Sequence, residues 1–167
     1  QAGGSSLCQQ IHTQHADRIR DLLQDALAGG ARIEVGGRWD DQGLRLEPTV
    51  LSGVTPGMRL MNEEIFGPLL PVISITSTKQ AIDFITARPH PLALYVFAEN
   101  KSVVNEVLAK TTAGGMTVNG TLMHLTSPHL PFGGIGESGM GGYHGKSGVR
   151  LFQHMKPVLS RGTKLDP

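Results

Sequence analysis

The middle of this chain constrains its fold more than any other part, because three apolar strand-like segments alternate there with two helix-like segments. The strand-like segments run over 69–75, 92–98 and 116–119. Strands that are apolar along their whole length are typical of parallel sheets covered by helices, with right-handed crossovers between neighbouring strands. We therefore predict an α/β fold, a three-layer helix/sheet/helix arrangement around a mostly parallel sheet.

Local signals predict where the two helices of this middle region begin and end. Ser77 lies three residues before Gln80 in a capping-box pattern, so the two side chains can bond free backbone groups at a helix start. We expect this helix to end near Arg88, just ahead of Pro89. Asn100 is a typical N-cap residue and predicts the start of the second helix.

Apolar residues at helical spacing predict an earlier helix over 11–28 with one buried face. Gly29 and Gly30 then end this helix, because glycine is the usual residue just past a helix C-terminus. A short strand is expected over 32–35, and the segment 48–51 is expected to be a surface connection. The predicted buried face of the helix carries Ile19, Leu22, Leu23, Ala26 and Leu27.

Size and composition exclude several classes of protein. At 167 residues the chain has the size of one domain, with 39% apolar and 17% charged residues. Its 15 Lys and Arg nearly balance its 14 Asp and Glu, which argues against a disordered chain and against a nucleic-acid partner. Cys8 is the single cysteine, which excludes an internal disulfide framework and favours the cytoplasm. The longest apolar stretch, 92–98, is too short to cross a bilayer, and no secretory leader opens the chain.

The glycine surplus is concentrated near the C-terminal end, where eight of the sixteen residues from Gly133 to Gly148 are glycine. Residues 134–139 satisfy the dinucleotide pattern G-x-G-x-x-G, but no strand leads directly into them and no acid follows at about 20 residues, as that motif requires. Gly145-Lys146-Ser147 is similar to the end of a P-loop, yet Met140 stands where a glycine is needed. We interpret both matches as chance, and a nucleotide phosphotransferase remains a remote alternative.

Histidine pairs and the lone cysteine are weaker candidates for chemistry. His12 and His15 are three residues apart, and His124 and His129 are five apart, but neither pair has a third metal ligand at a suitable spacing. We therefore expect no metal site and interpret these histidines as solvated or capping residues. Cys8 has no evident base nearby, and we interpret it as a small apolar filler at a helix start.

An acidic segment directly before the first middle strand is the strongest functional signal. Glu63 and Glu64 are followed by Phe66 and a Gly-Pro turn. A carboxylate held there can accept hydrogen bonds from two vicinal hydroxyls, and the ring can lie against a nicotinamide. The structural alternative is an exposed acidic turn with Phe66 in the core.

The acidic segment, together with four later segments of the chain, resembles a known family, the aldehyde dehydrogenase superfamily. The resemblance covers nearly everything from 11 to 156, and Tyr143-His144-Gly145 and the 124–129 loop are most similar to its class three branch. Members of that branch oxidise fatty and aromatic aldehydes and include coniferyl aldehyde dehydrogenases. The motifs are Glu63-Glu64-Ile65-Phe66-Gly67-Pro68, then 91–97, 114–119, 130–141 and 143–145.

The resemblance implies site residues, a cofactor and partners. Glu64 would hold the nicotinamide ribose hydroxyls and Phe66 would pack near the nicotinamide of NAD or NADP. Phe132 would line the aldehyde pocket, and Asn119 would lie beside it. In this family a cysteine thiolate attacks the aldehyde, a hydride passes to NAD(P) and a glutamate activates water. The expected partners are an aldehyde substrate and a second copy of the enzyme.

The chain departs from the family in what it lacks. The family's nucleophile, base glutamate and main NAD-binding domain all lie upstream of the matched region, and Cys8 does not stand in the family's Gly-Gln-x-Cys context. We therefore interpret residues 11–156 as the C-terminal part of the catalytic domain, including a Gly-rich region over 120–148, and we expect the chain to be inactive alone. Residues 1–10 would be a linker or a cloning-derived segment, and 157–167 a C-terminal tail. The alternative is a non-catalytic binding or assembly module of the same fold.

Overall fold

The computed structural model describes residues 12–163 of the chain. The chain divides into two compact units, Gln1–Ser74 and Ile75–Pro167. Cys8 and the predicted start of the first helix at Ile11 lie outside the described residues. No helix within residues 12–163 is long and apolar enough to cross a membrane.

The first unit consists of one helix, a short 3₁₀ helix and a three-stranded sheet. Helix α1 covers Thr13–Ala28, strand β1 Arg32–Val35, strand β2 Thr49–Ser52, the 3₁₀ helix Arg59–Met61 and strand β3 Leu69–Pro71. The strand order is β1-β2-β3, with β1 antiparallel to β2 and β2 parallel to β3. Strand β2 is therefore the central strand of this sheet.

The buried face of α1 forms one side of the core of this unit. Ile19, Leu22, Leu23 and Ala26 are buried, as their spacing predicts, whereas Leu27 is 39% exposed. Leu27 lies at the edge of the apolar stripe on the last turn of the helix. The same core cluster includes Leu46, Leu51, Leu60 and Leu69.

The second unit alternates strands and helices. Helix α2 covers Thr78–Thr86, β4 Ala93–Val96, α3 Lys101–Lys110 and β5 Gly115–Val118, followed by the short helices α4, Met123–Thr126, and α5, Gly145–Leu151. Strands β4 and β5 pair in parallel, with Ala93 opposite Gly115 and Val96 opposite Val118. The buried residues Ile82, Val96 and Val107 form a small core of their own. The α/β class and the predicted parallel pairing are confirmed.

The arrangement of the sheets differs from the predicted single three-stranded sheet. Strand β3 pairs with β2 in one sheet, and β4 pairs with β5 in another. The expectation of a surface connection over 48–51 is wrong, because Thr49–Ser52 is the central strand β2 and Leu51 is fully buried. Thr49 is also buried because its hydroxyl has two partners: it donates to the Glu47 carbonyl (2.7 Å) and accepts from the Gly37 N–H (2.9 Å). A run of only four residues in this strand carries too little periodicity to be recognised.

Side-chain caps begin both middle helices, as predicted. The Ser77 hydroxyl accepts from the Gln80 N–H at 3.2 Å, and the Asn100 amide oxygen accepts from the Ser102 N–H at 2.9 Å. The Gln80 side chain reaches back to the Thr76 N–H at 2.7 Å, one residue earlier than in a standard capping box. These contacts satisfy backbone donors that a helix N-terminus leaves free.

A tight hairpin in the first unit is stabilised by a carboxylate. Trp39 and Leu46 form an antiparallel bridge, and the Asp40 carboxylate accepts from the backbone N–H groups of Arg45 (3.0 Å) and Leu44 (2.8 Å). The Arg45 bond is the largest of the effects that lower the pKa of Asp40 below its ordinary value. A lowered pKa means that the folded hairpin stabilises the charged carboxylate.

We predict that Asp40→Asn weakens the loss of stability in acid. The contribution of charged Asp40 is fully present above the pKa of the unfolded carboxyl, about 4, and is lost as the pH falls through the lower folded pKa. Urea unfolding of the chain at several pH values between neutral and acid measures this dependence. Asp41→Asn, which removes a charge from the exposed neighbouring residue, is the control. An identical acid dependence in Asp40→Asn and the unmodified chain would contradict the prediction.

Candidate functional site

The acidic segment forms an exposed loop between the 3₁₀ helix and β3. Glu64 is exposed, and the Phe66 ring is 75% exposed, so the structural alternative in which Phe66 belongs to the core is wrong. An exposed ring and an exposed carboxylate in the same loop are both accessible to a ligand. The predicted pair Glu64 and Phe66 thus lies in one accessible loop.

Two side chains of α1 hold this loop by its backbone carbonyls. The Arg18 guanidinium donates to the Glu64 carbonyl at 3.1 Å and also to the Ile65 carbonyl. The His15 Nε2 donates to the Phe66 carbonyl at 2.8 Å. His15 and Arg18 are three residues apart on the helix and so share a face. Three consecutive carbonyls are therefore bound by one side of α1.

The two neighbouring carboxylates have different environments. Glu63 lies 3.2 Å from Arg18 and 3.3 Å from Arg59, so its carboxylate is used in ion pairs. The carboxylate of Glu64 has no hydrogen bond or ion pair to any residue within 12–163. Of the two acids, Glu64 is therefore the one available to accept hydrogen bonds from a ligand.

The backbone at Phe66 lies in the left-handed region, with φ of 48°. This conformation is unfavourable for a bulky residue and costs on the order of 1–3 kcal/mol unless neighbouring contacts impose it. The next residue, Gly67, packs directly on α1: a Cβ at this position would lie 2.6 Å from Ile19 Cδ1. The His15 bond on one side and the Ile19 contact on the other hold Phe66 in this conformation.

Phe132 lies in the second unit, at the base of the Gly-rich loop. Its backbone exchanges two hydrogen bonds with Tyr143, at 3.0 and 2.9 Å. Its half-buried ring lies between three other rings, with centroid distances of 5.6 Å to Tyr143, 5.9 Å to His124 and 6.2 Å to His144. The loop therefore closes on itself through an aromatic cluster.

The glycines of this loop allow close backbone approach. A Cβ at Gly133 would collide with the backbone of Gly141 and lie 2.9 Å from Gly142 Cα, and a Cβ at Gly134 would collide with the backbone of Ser138. Residues 136–138 form only a three-residue 3₁₀ helix within the G-x-G-x-x-G match. The glycines are thus explained by close backbone approach within the loop, and the chance origin of the nucleotide motifs stays an interpretation.

Asn119 uses its side-chain amide within the fold. Its oxygen accepts from the Ala98 N–H at 2.9 Å, and its nitrogen donates to the Ala98 carbonyl at 3.1 Å. Its φ of 55° lies in the left-handed region, which asparagine tolerates better than most residues. Asn119 therefore ties the end of β5 to the residues that follow β4.

The histidine pairs differ in surroundings. His124 is buried, with 7% of its surface exposed, whereas His129 and His12 are exposed. Within residues 12–163, no three His, Cys, Asp or Glu side chains are grouped as metal ligands would be. Sequence reasoning weighed a metal-ligand role against solvated or capping histidines and favoured the latter, but it did not predict that His15 binds the acidic loop. The helical spacing of His15 and Arg18 was the signal available, but it does not reveal the carbonyls that they bind.

Comparison with known proteins identifies the family that the chain resembles. Residues 4–158 match the sequence profile of the aldehyde dehydrogenase family. The rat protein "Aldehyde dehydrogenase family 3 member A2" is 44% identical over 154 residues, which is 92% of this chain and 31% of that protein. The rat protein "Aldehyde dehydrogenase, dimeric NADP-preferring" is 42% identical over 149 residues, covering 89% of this chain and 32% of that protein. The chain thus spans about a third of the length of the curated relatives it matches.

Solved structures agree with these relatives. The substrate-bound AldH of Staphylococcus aureus superposes with a TM-score of 0.83 at 41% identity, over 95% of this chain and 35% of that one. The NAD-dependent aldehyde dehydrogenase of Sinorhizobium meliloti superposes with a TM-score of 0.85 at 28% identity, over 95% of this chain and 32% of that one. The fold described above is therefore shared with aldehyde dehydrogenase structures.

We predict that Arg18→Ala destabilises the first unit by about 1.5–3 kcal/mol, the usual range for hydrogen bonds to a charged group. Arg18→Lys keeps the charge but not the two-pronged geometry, and we expect it to recover only part of the loss. Urea unfolding measures both changes, with Arg32→Ala on exposed strand β1 as the control. A loss for Arg18→Ala no larger than that for Arg32→Ala would show that α1 does not hold the loop in solution.

Proposed function

Because this chain belongs to the aldehyde dehydrogenase family, we propose that it is the C-terminal part of the catalytic domain of an NAD(P)-dependent enzyme that oxidises an aldehyde to a carboxylic acid. The matched region, 4–158, contains the proposed catalytic segment 11–156 and also includes residues 4–10, for which we predicted a linker or a cloning-derived segment. Residues 157–167 are proposed as a C-terminal tail. The observation that carries the proposal is the free Glu64 carboxylate beside the exposed Phe66 ring, on a loop that α1 holds rigidly.

The residues of this loop fit the nicotinamide half of NAD or NADP. A carboxylate without a partner can accept hydrogen bonds from both hydroxyls of a ribose. An exposed aromatic ring offers a flat apolar face to a nicotinamide. Glu64 and Phe66 would therefore hold the cofactor, which supplies the hydride acceptor for the oxidation when it is bound.

The chain's own residues would act by orientation. Glu64 fixes the ribose and so limits the rotation of whatever the ribose carries, while Phe66 restricts movement to one side. Because the carbonyls of residues 64–66 are bound by α1, the loop is organised before any ligand arrives. An organised loop does not lose backbone freedom on binding, which is the advantage of preorganisation. Glu63 would support the loop through Arg18 and Arg59.

The substrate side would be contributed by the second unit. We propose that Phe132 forms one wall of the aldehyde pocket and that Asn119 shapes this wall by tying Ala98 to the end of β5. The aromatic cluster around Phe132 favours an apolar substrate, and the relative named as a family 3 member, at 44% identity, supports the class three assignment. An aromatic or fatty aldehyde, of which coniferyl aldehyde is one example, is therefore the proposed substrate.

The remaining chemistry would come from elsewhere in a longer enzyme. By resemblance, the nucleophilic cysteine and the base glutamate lie upstream of this segment, so the segment alone would be inactive. We further propose a homodimer, supported by a relative whose name includes "dimeric", and a cytoplasmic location, supported by the single cysteine. The low net charge of +1 gives no support to a nucleic-acid partner.

We predict that Glu64→Gln in the longer enzyme raises the dissociation constant for NAD(P) about tenfold, because a neutral amide accepts more weakly than a carboxylate. Fluorescence titration of the cofactor measures this change without turnover. Glu99→Gln removes an equally exposed carboxylate from the second unit and serves as the control. An unchanged dissociation constant in Glu64→Gln would remove the proposed role of this residue.

We predict that the 167-residue chain alone shows no aldehyde oxidation. An absorbance assay for NADH with benzaldehyde tests this, with the longer enzyme as the positive control. Turnover by the chain that disappears in Cys8→Ala would contradict the prediction, since it would make Cys8 a nucleophile. Turnover that persists in Cys8→Ala would contradict it as well, because another group of the chain would then be responsible.

A further inference from the structure

We propose, on the basis of the proposed function, that His124 is a positioning residue that sets the orientation of the Phe132 wall and so the preference for aromatic aldehydes. Three observations carry this inference: a buried ring with one unpaired nitrogen, a glycine that makes room for it, and a chain of ring contacts that ends at Phe132.

The burial of His124 is not explained by packing alone. Only 7% of the residue's surface is exposed, and its Nε2 has no hydrogen-bond partner within residues 12–163. A buried polar atom without a partner costs free energy that an apolar ring of similar size would not cost. A histidine at this position therefore calls for a compensating use of its other nitrogen.

That use is a hydrogen bond to strand β5. The Nδ1 of His124 and the hydroxyl of Thr117 share a hydrogen bond of 3.0 Å. His124 lies on the short helix α4, which is too short to fix a side chain by itself. The bond to Thr117 thus selects one orientation of the imidazole plane relative to β5.

The backbone of β5 is adapted to this ring. A Cβ at Gly115 would collide with His124 Cδ2 and lie 2.8 Å from Nε2. The φ of Gly115 is not among the positive values in the chain, so the glycine is required for close approach and not for an unusual turn. Gly115 thus leaves room for the imidazole to pack against β5, and Thr117 binds it there.

The orientation of the His124 ring constrains the orientation of the Phe132 side chain. His124 lies between Tyr95 on β4, with centroids 6.0 Å apart, and Phe132, with centroids 5.9 Å apart. Phe132 contacts Tyr143 edge-on, at 83°, on another side. Aromatic contacts of this kind have preferred angles, so a reoriented imidazole would change the angle of Phe132. This change would weaken the binding of a bulky aromatic aldehyde more than the binding of a small aliphatic one.

A double-mutant cycle in the longer enzyme tests the proposal. His124→Phe keeps the ring and removes both nitrogens, and Thr117→Val removes the hydroxyl at nearly constant volume. We expect each variant to raise the KM for benzaldehyde about fivefold, the scale of one hydrogen bond, and the double variant to raise it no further. The KM for propanal should change less, and that for NAD(P) should not change. Thr117→Ser, which keeps the hydroxyl, should retain the original KM for benzaldehyde.

A readout without turnover separates positioning from simple stability. Calorimetry with benzoate, a carboxylate product, should show the same loss of affinity in His124→Phe and Thr117→Val. Thr117→Ser, which keeps the hydrogen bond to Nδ1, should leave both the affinity for benzoate and the Tm unchanged. Equal increases in KM for aldehyde and cofactor, in parallel with a lower Tm, would overturn the proposal. If His124→Phe fails to fold, the comparison of Thr117→Val with Thr117→Ser still tests whether the hydrogen bond to His124 controls the KM for benzaldehyde.

Phe132→Leu distinguishes failure of this inference from failure of the proposed function. An unchanged KM for benzaldehyde in Phe132→Leu would overturn the placement of Phe132 at the pocket, and with it the proposed substrate wall. A raised KM in Phe132→Leu with unchanged values in the His124 and Thr117 variants would overturn only the positioning role of His124.

Discussion

The contact between helix α1 and the 63–67 loop is the interaction on which the candidate cofactor surface depends. Arg18 and His15 bind three consecutive carbonyls of the loop, and Gly67 lies against Ile19 in the buried face of the same helix. The apolar face of α1 and its loop-binding face are thus parts of one element. The position of the loop therefore depends on the position of α1. The contacts with α1 also explain how a bulky Phe66 stays in a left-handed conformation on an exposed surface.

The second unit uses close approach of a glycine in a similar way. Gly115 brings β5 against His124, as Gly67 brings the loop against α1, and in both cases a Cβ would collide with a side chain that matters for the site. In the Gly-rich loop the same property brings backbone against backbone and closes the Phe132–Tyr143 bridge. The glycine surplus therefore has a steric explanation at several separate places, which differs from a phosphate-binding loop, where glycine exposes N–H groups to a ligand.

Much of the local structure could be predicted because it follows from neighbouring residues. The caps at Ser77 and Asn100 and the buried face of α1 depend on spacing within a few positions, and each is found where it was expected except that Leu27 is exposed. Strand β2 was missed because its four residues lie between loops, and the division of the predicted strands between two sheets depends on contacts far apart in sequence. The comparisons show the family, and the motif at 63–68 already resembled it. The roles of Glu64, Phe66, Phe132 and Asn119 remain proposals.

By itself the sequence determined the α/β class, the approximate positions of the three longer helices and the family resemblance, because these follow from periodicity, capping residues and short motifs along the chain. Only the tertiary structure decided which of two adjacent glutamates is free within residues 12–163, since Glu63 pairs with Arg18 from helix α1 as well as with Arg59, four residues before it, and Glu64 has neither partner. Only the tertiary structure could show that His124 is buried, with one nitrogen unpaired among residues 12–163, while His129 is exposed. The physical reason is the same in each case: hydrogen bonds and burial depend on groups brought together by folding, and one-dimensional spacing does not encode those partners.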